Sequence, residues 1–157
     1  MALSARLREV LRFPTHLVLD TNVWIDWLVF DDPSIAPLKT AHQDGRLHIV
    51  VNDAVLGELN AVLAYPEFKL DDAQKKYHLA EVDRCTIRHD DRHAENSTAL
   101  PRCSDPDDQI FLELARDARA DWLITRDNAL LRIRRKKLEA ARFRIGTPTQ
   151  WADSLVN

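Results

Sequence analysis

The sequence predicts an α/β fold, with a parallel sheet carrying helices on both faces. Three observations predict it. Apolar runs of strand length alternate with segments of helical periodicity from about residue 16 to the end, the pattern of a parallel sheet with right-handed crossovers. The clearest runs, HLVL and LHIVV, are apolar nearly throughout, as a strand covered on both faces requires. Only 3 glycines occur in 157 residues, and several apolar stripes have helical spacing. The length fits one domain over residues 1–157, with residues 1–14 as an N-terminal helical extension.

Each element has a local reason. Leu3, Leu7, Val10 and Leu11 share one face of a short helix that Pro14 stops. The run 16–20 reads as a buried strand ending in Asp20, and Thr21-Asn22 start the helix that VWIDWLVF continues. Ser34 to Gln43 reads as a helix capped by Ser34 and stopped at Gly45. Residues 47–51 form a second strand. Asn52 or Asp53 then caps a helix through Leu63, with Val55, Leu59, Val62 and Leu63 on one face. Pro66 ends that stretch. Asp71 to Arg84 reads as a helix and Cys85 to Arg88 as a short strand. Residues 89–104 are polar and unpatterned, a surface loop. Asp105 to Asp108 open a helix with Ile110, Phe111, Leu114 and Ala115 inward. DWLIT (121–125) is a strand, the basic stretch Arg132 to Arg142 is helical or irregular, and Phe143 to Ile145 is the last strand. Pro148 opens a final helix that ends near Leu155.

Composition narrows the function classes. Hydrophobic residues make up 45% and charged residues 30%, a globular mix rather than a disordered one. A net charge of −3 argues against a general nucleic-acid coat, although a local basic stripe is enough to hold a short strand. No apolar run reaches the roughly 18 residues of a membrane span. Met1 to Phe13 lacks the apolar core of a signal peptide, so the expected location is cytoplasmic. Cys85 and Cys103 have neither CxxC nor zinc spacing and read as buried thiols, with a lone disulfide as the rival reading.

The carboxylates carry the chemistry. Asp20 ends a strand, Asp127 lies two residues beyond another, and Asp108 begins a helix after a loop. Sites in open α/β sheets form at the carboxyl ends of strands, so distant residues of this kind meet there. Glu58 lies on the helix that leaves the strand 47–51 at the same edge. Acids converging in one cleft repel each other, and a hard divalent cation relieves that repulsion. Mg²⁺ or Mn²⁺ bound there could activate a water toward phosphorus, with a second ion about 3.5–4 Å from the first. Thr21 and Asn22 would sit beside the ions as positioning groups. Taken singly, Asp20, Asp108 and Asp127 are more often helix caps or dipole partners than ligands, and Glu58 is more often a solvated helix residue.

Five stretches in order decide between those readings: VLDTNVW (18–24), VLGELNAVLAYPEF (55–68), CSDPDDQIFLELA (103–115), ADWLITRDNALL (120–131) and IGTP (145–148). With them the chain from about residue 16 resembles a PIN domain, and most of all the branch assigned to toxins of toxin–antitoxin systems, the VapC-like ribonucleases. The resemblance implies a three-layer α/β/α sandwich with a central parallel sheet of four to five strands. It implies a metal-dependent endoribonuclease that cleaves RNA phosphodiester bonds with one or two Mg²⁺ or Mn²⁺ ions. It also implies a cognate antitoxin and a homodimer. Asp20 matches the family's first acid, Glu58 the second, Asp108 the third and Asp127 the fourth. Asp105 and Asp107 lie so near Asp108 that the register has alternatives. Asp105 reads better as a cap, and Asp107 stands as a supporting residue with Thr21 and Asn22. The chain departs from its relatives at Ala129, where many carry a further acid, which would weaken a second metal. Asn52 stands where a small hydroxyl residue often precedes the second acid's helix.

Around this set, Arg126, Arg132, Arg134, Arg135, Lys136 and Lys137 are candidate RNA-phosphate contacts, with Arg142 and Arg144 beyond them. The rival reading of that run is a solvated basic face. His89, His93, Asp90 and Asp91 lie in a loop without rigid support and read as solvated. Trp24, Trp27, Trp122 and Trp151 read as core, with Trp27 as an alternative dimer face. Two rival functions stand beside the ribonuclease: a catalytically weak RNA-binding PIN domain, and a DNA or flap-type metal-dependent nuclease. The first conflicts with four intact acids, and the second with the shortness of the chain.

Overall fold

The computed structural model describes residues 14–93, 99–133, 135–138 and 141–156. The expected helix over residues 1–14 lies outside these residues, apart from Pro14. Five strands form one parallel sheet: β1 (Thr15–Leu19), β2 (Leu47–Val51), β3 (Thr86–Arg88), β4 (Trp122–Ile124) and β5 (Arg144–Gly146). Their spatial order is β3-β2-β1-β4-β5. The chain thus builds outward from β1 on one side, then returns to build outward on the other. This reversal puts a topological switch point between β1 and β4, and ligands bind at the carboxyl ends of strands there.

Register carries the two strand ends together. Leu19 pairs with Ile124, and the Asp20 N–H donates to the Ile124 carbonyl at 2.9 Å. Leu17, Val18 and Leu19 of β1 and Ile49, Val50 and Val51 of β2 are buried on both faces, which explains their continuous apolar character.

The helices are α1 (Thr21–Ile25), α2 (Ala36–Gln43), α3 (Asp53–Leu63), α4 (Asp72–Cys85), α5 (Gln109–Asp117), α6 (Asn128–Leu131) and α7 (Pro148–Ser154). α1 widens into a π-helical turn, Asp26–Phe30, which ends at Asp31 in a left-handed conformation. Asn52 caps α3 through the Val55 N–H, and reciprocal capping boxes close the starts of α4 (Asp71 with Gln74) and α7 (Thr147 with Gln150). Gly45 follows α2 at φ +72, the left-handed stop that a glycine accepts without strain.

Two local expectations are corrected. Ser34 is not the cap before α2. Asp32 accepts from the Ser34 N–H at 2.9 Å and opens a 3₁₀ turn, Pro33–Ile35, whose first residue is the proline. The buried face of α5 is Phe111, Leu112, Leu114 and Ala115, while Ile110 is only half-buried. That helix touches β1, β4 and α3, so its covered arc is wider than one stripe. Trp27 is core as expected, buried against Trp24 and His42 with the Lys39 ammonium over its ring, which leaves little of it for the alternative dimer face. Trp24 and Trp151 are core as expected, Trp122 is half-buried, and Cys85 and Cys103 are buried free thiols.

Candidate active site

Asp20, Asp108 and Asp127 converge at the switch point, each with a carboxylate oxygen within 4.8 Å of the others. They arrive from three elements: the end of β1, the 3₁₀ turn Pro106–Asp108 that leads into α5, and the loop after β4. Asp20 and Asp108 are buried and Asp127 is half-buried.

Capping and convergence are not exclusive. Asp20 precedes α1 and accepts from the Thr21 N–H at 2.6 Å. Its other oxygen, Oδ2, accepts from Thr125 Oγ1 at 2.6 Å and from Asn22 Nδ2 at 3.3 Å. Asp127 caps α6 by accepting from the Ala129 N–H at 2.8 Å. Asp108 differs. It stands before α5 yet makes no side-chain cap, and its Oδ2 is buried without a hydrogen-bond partner among the described residues. A helix start explains Asp20 and Asp127 in part, but it leaves Asp108 unexplained.

Electrostatics agree with the geometry. Burial pushes the Asp20 carboxyl up to about 6, against hydrogen bonds from Thr125 and Thr21 that pull it down, with Glu58 and Asp127 adding repulsion. Asp108 is raised further, first by burial, then by a side-chain hydrogen bond with Asp127 and the charges of Asp20, Asp127 and Asp105. Two carboxylates cannot donate to each other, so the Asp108–Asp127 contact exists only where they share a proton. A divalent cation would serve all three carboxylates better, and the orphaned Asp108 oxygen would be one of its ligands. The donor set is oxygen only, which suits a hard ion and not a soft one.

Glu58 stands outside the triad. It is half-buried on α3, accepts from Thr21 Oγ1 at 2.5 Å, and its charge acts on Asp20. Thr21 and Asn22 both lie at the cluster, as expected. Asp107 is exposed and outside it, and its N–H donates to Asp105, which is the cap of the 3₁₀ turn. Ala129 contributes no acid, only its backbone N–H to Asp127.

Among the candidate RNA contacts, Arg126 is engaged within the fold. Its Nε donates to Asp26 at 2.5 Å, and its Nη2 donates to Ser34 and lies 3.7 Å from Asp32. Arg132, Arg135, Lys136 and Lys137 are exposed, with no acidic partner among the described residues. Arg134 lies outside the described residues. Residue Thr125 is the functional candidate that the sequence did not single out. It is fully buried, donates to Asp20, and accepts from the Asp127 N–H at 2.9 Å, so one hydroxyl ties two acids together.

Residues 16–129 match the family pattern of the PIN domain. The chain belongs to the PIN-domain family. PIN domains are generally nucleases, and all four acids assigned by resemblance fall within the matched span. This PIN domain also shares its fold with a chain of VapBC2 from Rickettsia felis, solved bound to a DNA fragment from the promoter. The TM-score is 0.56 at 15% identity, over 84% of this chain and 98% of that one. The likeness supports the five-stranded parallel sheet and its α/β/α layering. No curated protein matches the chain.

Proposed function

We propose that this PIN domain is a Mg²⁺- or Mn²⁺-dependent endoribonuclease and the toxin of a toxin–antitoxin pair. The observation that carries the hydrolytic reading is the Asp20–Asp108–Asp127 cluster with its orphaned Asp108 oxygen. These three carboxylates would hold the ion. A bound divalent ion would polarise the phosphate and lower the pKa of a water.

The chain's own groups do the rest. Thr125 and the Thr21 N–H hold the Asp20 carboxylate in one orientation by gripping both of its oxygens. Asn22 supplies a third donor to the same group. Glu58 adds negative charge at the cluster's edge and fixes the Thr21 hydroxyl. Exposed Arg132, Arg135, Lys136 and Lys137 follow Asp127 by a short helix, where they can neutralise backbone phosphates. Arg126 instead braces the loop after β4 against the π turn and the 3₁₀ turn that follows.

The toxin reading rests on the family resemblance and on the likeness to the VapBC2 chain. A cognate antitoxin and a cytoplasmic homodimer belong to the same proposal. No helix among the described residues is long and apolar enough to cross a membrane. The deciding test is cleavage of single-stranded RNA in Mn²⁺ by the wild type, Asp20→Ala and Asp108→Ala. Cleavage by the wild type alone, with folded variants, supports the proposal. Full activity in either variant sinks it.

A further inference from the structure

The acids form only one side of their cleft. Besides Thr21 and Asn22, the lining holds an apolar group: Ile25 of α1, Val62 of α3, and Phe68 at the end of the 3₁₀ turn Pro66–Phe68. The space between measures about 290 Å³. Phe68 is half-buried against the core. Its ring meets the ring of Phe30 edge to face, with centroids 6.0 Å apart at 60°. Phe30 itself is 61% exposed, so the aromatic pair reaches from the cleft wall to the surface.

Neither a hydrated ion nor a phosphate gains from this wall, because both need polar partners. In a nucleic acid, the group with a flat apolar face close to a phosphate is a base. At about 290 Å³ the cleft lies just below the usual range for ligand sites, about 300–1,000 Å³, a size that suits one base. A base held in a duplex is also stacked on its neighbours and cannot present its face to Phe68.

We infer that Phe68, braced by Phe30, is a stacking platform for one unpaired base beside the phosphate held at the acidic cluster. The position of the phosphate rests on the nuclease reading above. The platform itself rests on the apolar wall.

The test is a binding cycle on the full chain, with Ca²⁺ in place of Mn²⁺ so that the strand is held uncleaved. A fluorescent single-stranded RNA carries either all its bases or one abasic ribose, placed at each position in turn. Wild type, Phe68→Leu and Phe68→Trp are compared by anisotropy. Leucine keeps the apolar bulk and removes the aromatic face. Base–aromatic stacking predicts a loss of about 5- to 100-fold for Phe68→Leu on intact RNA. It predicts no further loss on the strand whose abasic site falls at the platform, and near-full binding by Phe68→Trp. Equal losses on intact and abasic strands would mean that Phe68 only packs, and would overturn the inference. No loss, or no binding by the wild type, overturns it too. The same strands in Mn²⁺ separate the two readings. Base-dependent binding without cleavage removes the nuclease and leaves the platform, and cleavage without base dependence does the reverse.

Discussion

The Thr125 hydroxyl donates to Asp20 Oδ2 at 2.6 Å, although 105 residues separate the two in sequence. Thr125 Oγ1 in turn accepts from the Asp127 N–H at 2.9 Å. Thr125→Val preserves shape and removes both interactions. Groups that orient metal ligands typically contribute about 10–100-fold in affinity or activity, so a loss of that size is expected for Thr125→Val. Thr125→Ser, which restores the hydroxyl, should recover most of it. Metal titration and cleavage rates on the folded variants check this, and equal activity in valine and serine forms would refute it.

Asp108 Oδ2 is buried with no hydrogen-bond partner among the described residues. Asp108→Asn is neutral without taking up a proton and offers an amide donor to Asp127. In EDTA the variant should be more stable than the wild type, because the amide is neutral at every pH whereas the buried Asp108 carboxyl must take up a proton or hold a charge. In Mn²⁺ the order should reverse, because the wild type alone gains from the ion. Thermal midpoints of both proteins in both buffers suffice. A variant less stable than the wild type in EDTA would contradict the repulsion argument.

The Asp20 carboxyl gives a pH dependence of defined sign. Folding raises it from 3.8 to about 6, so the fold favours the protonated form. Above the folded value Asp20 is charged in both states and folding carries the full penalty, on the order of 3 kcal/mol as an upper figure. Below the unfolded value it is neutral in both states and the penalty is gone. Metal-free protein should therefore gain stability from this group as pH falls through the window between about 6 and 4. Urea midpoints in EDTA across that window, wild type against Asp20→Asn, isolate it. The variant should lack this part of the gain, and parallel curves would remove the group from the account.

Strand interiors and strand ends are the parts most legible in the amino-acid sequence. β1 and β2 stand out because an interior parallel strand has to be apolar on both faces. Asp20 and Asp127 are legible as neighbours because each follows such a strand, and register then joins Leu19 to Ile124. Thr125 is not legible, since threonine at a strand end is an ordinary β-former and only side-chain geometry shows its two partners. Glu58 is singled out by resemblance and not by its own helix spacing, and its hydrogen bond from the Thr21 hydroxyl, 37 residues away, is visible only in the side-chain geometry. Arg126 resembles its exposed basic neighbours because its partners Asp26 and Ser34 lie 100 and 92 residues away. The cap of the turn before α2 is ambiguous because Asp32 and Ser34 are both good caps, and the proline between them favours the former.

Two glycines allow a paired test of packing. A Cβ on Gly146, at the end of β5, would lie 2.8 Å from Trp122 Cζ3 and 3.1 Å from Gln150 Oε1. Gly146→Ala should lose about 1–3 kcal/mol through overpacking. A Cβ on Gly57, inside α3, meets nothing within 4 Å. Gly57→Ala should gain about 0.4–1 kcal/mol, because alanine has less chain entropy to lose in a helix. Opposite shifts in denaturant midpoint are expected, and shifts of the same sign would argue against this packing at β5.

The basic segment separates charge from structure. Lys136 and Lys137 are exposed and unpaired among the described residues, whereas Arg126 is tied to Asp26 and Ser34. If Lys136 and Lys137 neutralise phosphates, each Lys→Gln change should weaken RNA binding without altering stability. Each should also reduce the steepness of the salt dependence by about 0.7 per phosphate contact on a single strand. Arg126→Gln should do the opposite. It should lower stability through the loss of a half-exposed ion pair, by about 1 kcal/mol or less, and leave the salt slope unchanged. Affinity measured at several salt concentrations, beside a thermal midpoint for each variant, distinguishes the two classes. A solvated face with no role in binding would leave the slope untouched for both lysines, and a flatter slope for Arg126→Gln would return that arginine to the RNA.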